Sequence, residues 1–149
     1  MVCLGNICRS PLAHGILEHK IKERGLDWTV DSCGTSGYHS GDPADPRSIE
    51  IAEHHGIDIK EQRSRKFIAH DFERFDQIYV MDSSNYQQVM AQAVNEEEKA
   101  KVELIMNEVN PGRNTAVPDP YYGEYGFENV YQMLDDATDA ILKRFEKSK

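Results

Sequence analysis

The chain opens on Met1-Val2-Cys3-Leu4-Gly5-Asn6-Ile7-Cys8-Arg9-Ser10-Pro11, and this stretch constrains everything that follows. Ser10 is a favoured helix N-cap and Pro11 a favoured first helical residue. Leu12, Ala13, Ile16, Leu17 and Ile21 continue at helical spacing, and Gly25 supplies a stop. The spacing predicts a helix over 10–24. An apolar start, a tight loop and a helix in that order place residues 3–9 at the carboxyl end of a first strand, where open parallel sheets bind ligands.

The rest of the chain alternates in the same way. Residues 28–33 read as a short strand, and residues 34–45 as a loop rich in Gly, Ser and Pro. Asp45-Pro46 repeats the cap-then-Pro signal for a helix to about residue 55, with Gly56 as its stop. A charged connection over 61–66 and a helical turn over 69–72 precede a β-rich strand at 76–81. Ser83 or Ser84 caps a further helix to about residue 92. Asn95 with Glu96, Glu97 and Glu98 reads as the next helix start. Residues 102–106 form a strand, 111–125 a long loop, and Val130, Leu134, Ala137, Ile141 and Phe145 one apolar stripe on a last helix. Alternation of strands and helices predicts a parallel sheet covered on both faces, in one domain spanning residues 1–149.

Composition narrows the classes. The 149 residues include 17 basic and 26 acidic ones, a net charge of −9. Non-specific nucleic-acid binding, which runs on phosphate neutralisation by Lys and Arg, is therefore not expected. No apolar run of 18 residues predicts a membrane span. Three cysteines do not make a secreted disulfide framework, and a cytoplasmic location is expected. No set of three or four ligands has metal-site spacing, so neither metal nor cofactor is expected.

The loop suits a phosphate monoester. Its amides can form an anion-binding concavity over the helix N-terminus. Gly5 allows close approach or positive φ, Asn6 tolerates the left-handed region, and Arg9 offers a planar bidentate fork. The same positive field favours the thiolate form of Cys3. Ser10 can donate a hydrogen bond to that thiolate. In-line attack needs an acid on the far side of phosphorus, and Asp119, between Pro118 and Pro120, is the candidate. A plain turn residue before proline is the competing reading of Asp119.

Residues 3–11 together with Asp119-Pro120-Tyr121-Tyr122 resemble the low-molecular-weight protein tyrosine phosphatases. The resemblance extends over Asp31-Ser32-Cys33-Gly34-Thr35-Ser36-Gly37-Tyr38-His39, Ser64-Arg65-Lys66 and Met81-Asp82-Ser83-Ser84-Asn85. It implies a three-layer α/β fold with a four-stranded parallel sheet, no metal, and a cysteinyl-phosphate intermediate. It implies Cys3 as nucleophile, Arg9 as phosphate clamp and Asp119 as general acid and base. Leu4, Gly5, Asn6, Ile7, Cys8 and Arg9 would then wrap the phosphate. Asn6 and Ser36 match residues that hold the loop's shape, and Ser10 matches the thiolate donor. Leu4, Ile7, Tyr38, Tyr121 and Tyr122 match the walls of an aromatic slot. Cys8 matches a second loop cysteine that forms a reversible disulfide with the nucleophile, although a small packing residue is the alternative. The implied partners are tyrosine-phosphorylated proteins or small aryl phosphates, inorganic phosphate as product inhibitor, and a cognate tyrosine kinase acting on Tyr121 and Tyr122.

The chain departs from the resemblance in two places. Only two residues precede Cys3, against about 5–6 in a usual strand, so the first strand is truncated as written. A mis-assigned start, numbering from a later residue and a truly shortened protein are the competing explanations, and only the last implies low stability or a strand borrowed from a second chain. Gln62 stands where many relatives carry His. Alternatives within the fold are a protein-arginine phosphatase, in which Thr replaces Ile7, and an arsenate reductase, which needs two extra cysteines beyond Cys33. A non-catalytic phosphotyrosine binder is the alternative from another class.

Overall fold

The computed structural model describes residues 1–120 and 126–146. The element order is β1 (Val2–Cys3), α1 (Arg9–Glu23), β2 (Cys33–Gly34), α2 (Pro46–His54), α3 (Asp71–Arg74), β3 (Ile78–Val80), α4 (Ser83–Met90), α5 (Glu96–Ala100), β4 (Val102–Leu104) and α6 (Gly126–Glu146). A 3-10 turn, Ile105–Glu108, follows β4. All strand pairs are parallel, in the order β2-β1-β3-β4. This is the expected four-stranded α/β arrangement.

Two-residue periodicity divides the strand side chains between two cores. Cys3, Tyr79 and Met81 face Leu12, Ile16, Leu134 and Ile141, in the core shared with α1, α2 and α6. Val2, Ile78, Val80, Val102 and Leu104 face Phe67, Phe72 and Val89, in the core shared with α3 and α4. The result is three layers with the sheet in the middle. Val2 and Val80 are almost fully buried, and each such side chain contributes about 1.5–3 kcal/mol relative to exposure.

Several boundaries differ from expectation for identifiable reasons. Helix α1 begins at Arg9, with Cys8 at the N-cap and no side-chain cap. Ser10 is thus already helical, and its hydroxyl is turned toward the loop instead. Asp82, not Ser83 or Ser84, caps α4, accepting from Asn85 N–H at 2.9 Å. Asp45 does cap α2, accepting from Arg47 N–H at 2.8 Å, and Asn95 caps α5. The strands expected over 76–81 and 102–106 contract to Ile78–Val80 and Val102–Leu104.

The strand expected over 28–33 contracts to Cys33–Gly34. A parallel ladder needs a neighbour, and β1 reaches back only to Met1, whose carbonyl accepts from Cys33 N–H at 2.9 Å. Val2 pairs with Cys33 on one side and Val80 on the other. Counted back in that register, residues 28–31 and 75–78 flank a slot with no strand between them among the described residues. A groove of about 610 Å³ lies there, lined in part by Trp28, Val30, Phe75, Ile78 and Phe145. The Met1 ammonium donates to Asp31 O at 3.0 Å, as a strand amide would. Burial pushes the pKa of that ammonium down from its ordinary value. Four apolar residues placed ahead of Met1 are expected to enter the slot as strand and to raise the melting temperature by about 5 °C or more. Calorimetry of the two chains checks this, and an unchanged melting temperature contradicts the register.

Candidate active site

The site is built at the carboxyl ends of β1, β2 and β3. After Cys3 the chain turns sharply at Asn6, whose φ of 57° lies in the left-handed region. Asn visits this region because its short amide can bond nearby groups. Here its backbone N–H donates to Cys3 Sγ at 3.2 Å and its side-chain Nδ2 to Ser10 Oγ at 2.7 Å. Its Oδ1 accepts from Arg65 N–H at 3.1 Å. One residue therefore joins the strand end, the first turn of α1 and the 61–66 connection. Gly5 does not take positive φ, so the sharp turn belongs to Asn6 alone.

Cys3 is buried, and its Sγ lies 3.0 Å from Ser10 Oγ. Ser10 Oγ accepts from Asn6 Nδ2 and keeps its own proton, for which Cys33 O at 3.4 Å and, when it is a thiolate, Cys3 Sγ at 3.0 Å are the acceptors. The start of α1 lies beneath, and its dipole adds roughly half a positive charge. Arg9, also buried, donates from Nη1 to Asp82 Oδ2 at 2.8 Å and to Val117 O at 2.9 Å. The predicted loop residues are therefore together: Cys3, Leu4, Gly5, Asn6, Ile7, Cys8, Arg9 and Ser10.

Asp119 is brought near by its neighbours. Val117 N–H donates to Met81 O at 2.8 Å, while Val117 O accepts from Arg9. Asp119, exposed, follows two residues later, within about 8 Å along the chain. Pro120 is buried. A Cβ on Gly126 would stand 2.3 Å from Pro120 O, so only glycine lets α6 start so close. The 117–120 segment is thus held at both ends. Tyr121 and Tyr122 lie outside the described residues.

Ser36 reaches the loop through its backbone N–H, which donates to Leu4 O at 2.9 Å, while its hydroxyl accepts from Tyr38 N–H. Tyr38 is 87% exposed and Leu4 52% exposed, both at the rim. Cys8 is buried, as is Cys33, whose thiol burial pushes up to about 11. None of the three cysteines is in a disulfide. Among the described residues no group of three or more His, Cys, Asp or Glu could hold a metal ion.

Its place at the end of a buried strand marks Asp82 as a cap or brace near the site, and it serves both as the α4 cap and as the Arg9 partner. Sequence reasoning missed Ser64. Ser64 donates from Oγ to Gly5 O at 3.0 Å, and its backbone clasps the 37–42 turn through Asp42 O and Gly41 N–H. Gln62 donates from Nε2 to Pro11 O at 3.2 Å and so braces the first turn of α1. Arg65 holds this connection down through a bidentate pair with buried Asp71 at 3.0 and 3.1 Å.

Gly34 backs the loop: a Cβ there would stand 2.7 Å from Leu4 O and 3.1 Å from Asn6 N. Overpacking of this kind costs about 1–3 kcal/mol. Gly34→Ala is expected to lower the melting temperature by about 4 °C or more and to abolish the upward shift that inorganic phosphate gives the wild type. Thermal melts with and without phosphate check this; a retained shift contradicts the loop as the anion site.

The comparisons with known proteins agree with this geometry. The family model described as "Low molecular weight phosphotyrosine protein phosphatase" matches residues 1–149. A relative of that name from Schizosaccharomyces pombe is 40% identical over 146 residues, covering 95% of this chain and 92% of the relative. A protein tyrosine phosphatase crystal structure from Entamoeba histolytica superposes with a TM-score of 0.91 at 35% identity, covering 99% of this chain and 95% of that one. The crystal structure of a Drosophila arginine phosphatase gives 0.88 at 31% identity, covering 97% and 96%. With a family match over its full length and a cysteine–arginine loop assembled over a helix N-terminus, the chain belongs to the low-molecular-weight phosphotyrosine protein phosphatase family.

Proposed function

We propose that the chain is a cytoplasmic, single-domain protein-tyrosine phosphatase that hydrolyses aryl phosphate monoesters through a cysteinyl-phosphate. The observation that carries the reading is Cys3 Sγ held between the Ser10 hydroxyl and the Asn6 N–H, at the start of α1 and next to Arg9. A dianion seated over that sulfur meets inward amides, a helix N-terminus and a guanidinium.

In the first step the Cys3 thiolate attacks phosphorus, the S–P bond forms and the P–O bond to the aryl group breaks. The Asp119 carboxyl gives its proton to the departing phenolate oxygen. In the second step the Asp119 carboxylate takes a proton from water as that water attacks phosphorus. The S–P bond breaks, Ser10 donates to the returning thiolate, and inorganic phosphate leaves as product and competitive inhibitor. Arg9 exchanges its bond to Asp82 for the equatorial oxygens, whose charge it balances. Leu4 and Tyr38 at the rim, with Ile7, line the path of a flat ring.

Cys3→Ser is expected to abolish hydrolysis of para-nitrophenyl phosphate while retaining phosphate binding. Asp119→Ala is expected to lower turnover about 10²–10⁴-fold for phosphotyrosine and much less for para-nitrophenyl phosphate, whose leaving group needs no acid. An equal loss on both esters removes Asp119 as general acid. Phosphotyrosine, phosphoserine and phosphoarginine peptides assayed side by side test the substrate class, and preference for phosphoarginine replaces this reading with the arginine phosphatase one.

Cys8 is proposed as the redox partner of Cys3. Peroxide oxidises Cys3 to the sulfenic acid, and attack by the Cys8 thiol expels water and closes a disulfide that thiols reverse. Wild type is expected to regain activity after peroxide and dithiothreitol, and Cys8→Ala to lose it permanently; equal recovery removes the role.

A further inference from the structure

One cation beside the loop makes no ion pair among the described residues and has no assigned use. Lys66 pairs with Gly34 in an isolated parallel bridge, placing it one strand spacing, about 4.8 Å, outside the backbone that backs the loop. Its side chain lies along the 37–42 turn: Cδ stands 3.3 Å, and Cβ 3.7 Å, from where a Cβ on Gly37 would be. The stem therefore runs over Gly37, next to Tyr38 and His39 in the same turn. That turn is fixed to the loop itself through Ser64, which bonds Gly41, Asp42 and Gly5.

The charged groups around it have other engagements. His39 leans on the loop, its Cδ2 3.2 Å from the Cβ position of Gly5, and Asp42 holds its Nδ1 at 3.2 Å. Arg65 is taken by Asp31 and Asp71. Arg63 donates to the carbonyls of Lys60 and Gln62. Lys66 is exposed and makes no ion pair among the described residues. In a chain of net charge −9, an unspent cation at the rim creates a local exception to the general repulsion of acidic segments.

We propose that Lys66 is a specificity-determining residue that favours phosphotyrosine segments carrying acidic residues beside the phosphotyrosine. The inference rests on the phosphotyrosine reading of the loop. With the phosphorylated ring between Leu4 and Tyr38, an extended peptide advances about 3.3–3.6 Å per residue across the rim. One or two residues bring a neighbouring Asp or Glu side chain over the 37–42 turn, where the Lys66 ammonium can meet it. Such an exposed pair is modest and screened by salt, so it sets preference among substrates and leaves the chemistry untouched.

The test compares two phosphotyrosine peptides that differ only in Glu and Asp against Gln and Asn next to the phosphotyrosine. Wild type is expected to favour the acidic peptide about fivefold in kcat/KM at low salt, with the preference fading at high salt. Lys66→Glu is expected to erase or reverse it, Lys66→Arg to keep it, and para-nitrophenyl phosphate to be cleaved at unchanged rates by all three. A wild type that cleaves both peptides equally, or a preference that survives Lys66→Glu, overturns the inference and leaves the phosphatase reading intact. Cleavage of para-nitrophenyl phosphate but of neither peptide removes the phosphotyrosine reading and this inference with it.

Discussion

The left-handed turn at Asn6 is the constraint on which the rest of the site depends. A chain leaving β1 and entering α1 must reverse direction within five residues. Asn6 accepts the unfavourable φ because three of its groups are bonded there, to Cys3, Ser10 and Arg65. Each such hydrogen bond contributes about 0.5–1.5 kcal/mol net. They also couple the sulfur to the helix and the helix to the 61–66 connection. Ser10 depends on the same turn, since the Asn6 amide holds its hydroxyl 3.0 Å from the sulfur.

The sheet makes this turn possible by being parallel. Strands β1, β2 and β3 all end on the same side, so the loop, the Thr35-Ser36 segment, Asp82 and the Val117 anchor converge without any long excursion of the chain. The two cores on either side of the sheet hold those strand ends at fixed separations. The three-layer packing is thus what sets the distance from Arg9 to Asp82 and from Val117 to Met81.

Much of this was legible in the residues. The 3.6-residue apolar pattern of α1 and α6, the Asp45-Pro46 start of α2 and the Asn95 start of α5 are local signals and appear as read. The alternation of strands and helices carried the architecture. What escaped was non-local. Residues 28–32 have strand composition, but strand is a property of pairs, and their register neighbour is not among the described residues. Ser10 has the composition of a cap, yet the loop's demand for a hydroxyl at sulfur overrides it. The partners of Asp82 and Ser64 were not legible, because Arg9 and Gly5 lie 73 and 59 positions away. Tyr38, expected as a wall of the slot, is at the rim, but Tyr121 and Tyr122 fall outside the described residues.

The contact between Gly34 and the loop reaches beyond stability. A methyl group at residue 34 would enter the space of Leu4 O and Asn6 N, so neither segment can drift in sequence without the other. Two stretches thirty residues apart behave as a single heritable unit. Any recombination that joins the first loop of one relative to the second strand of another has to carry both halves of that fit, or rebuild the fit from the beginning.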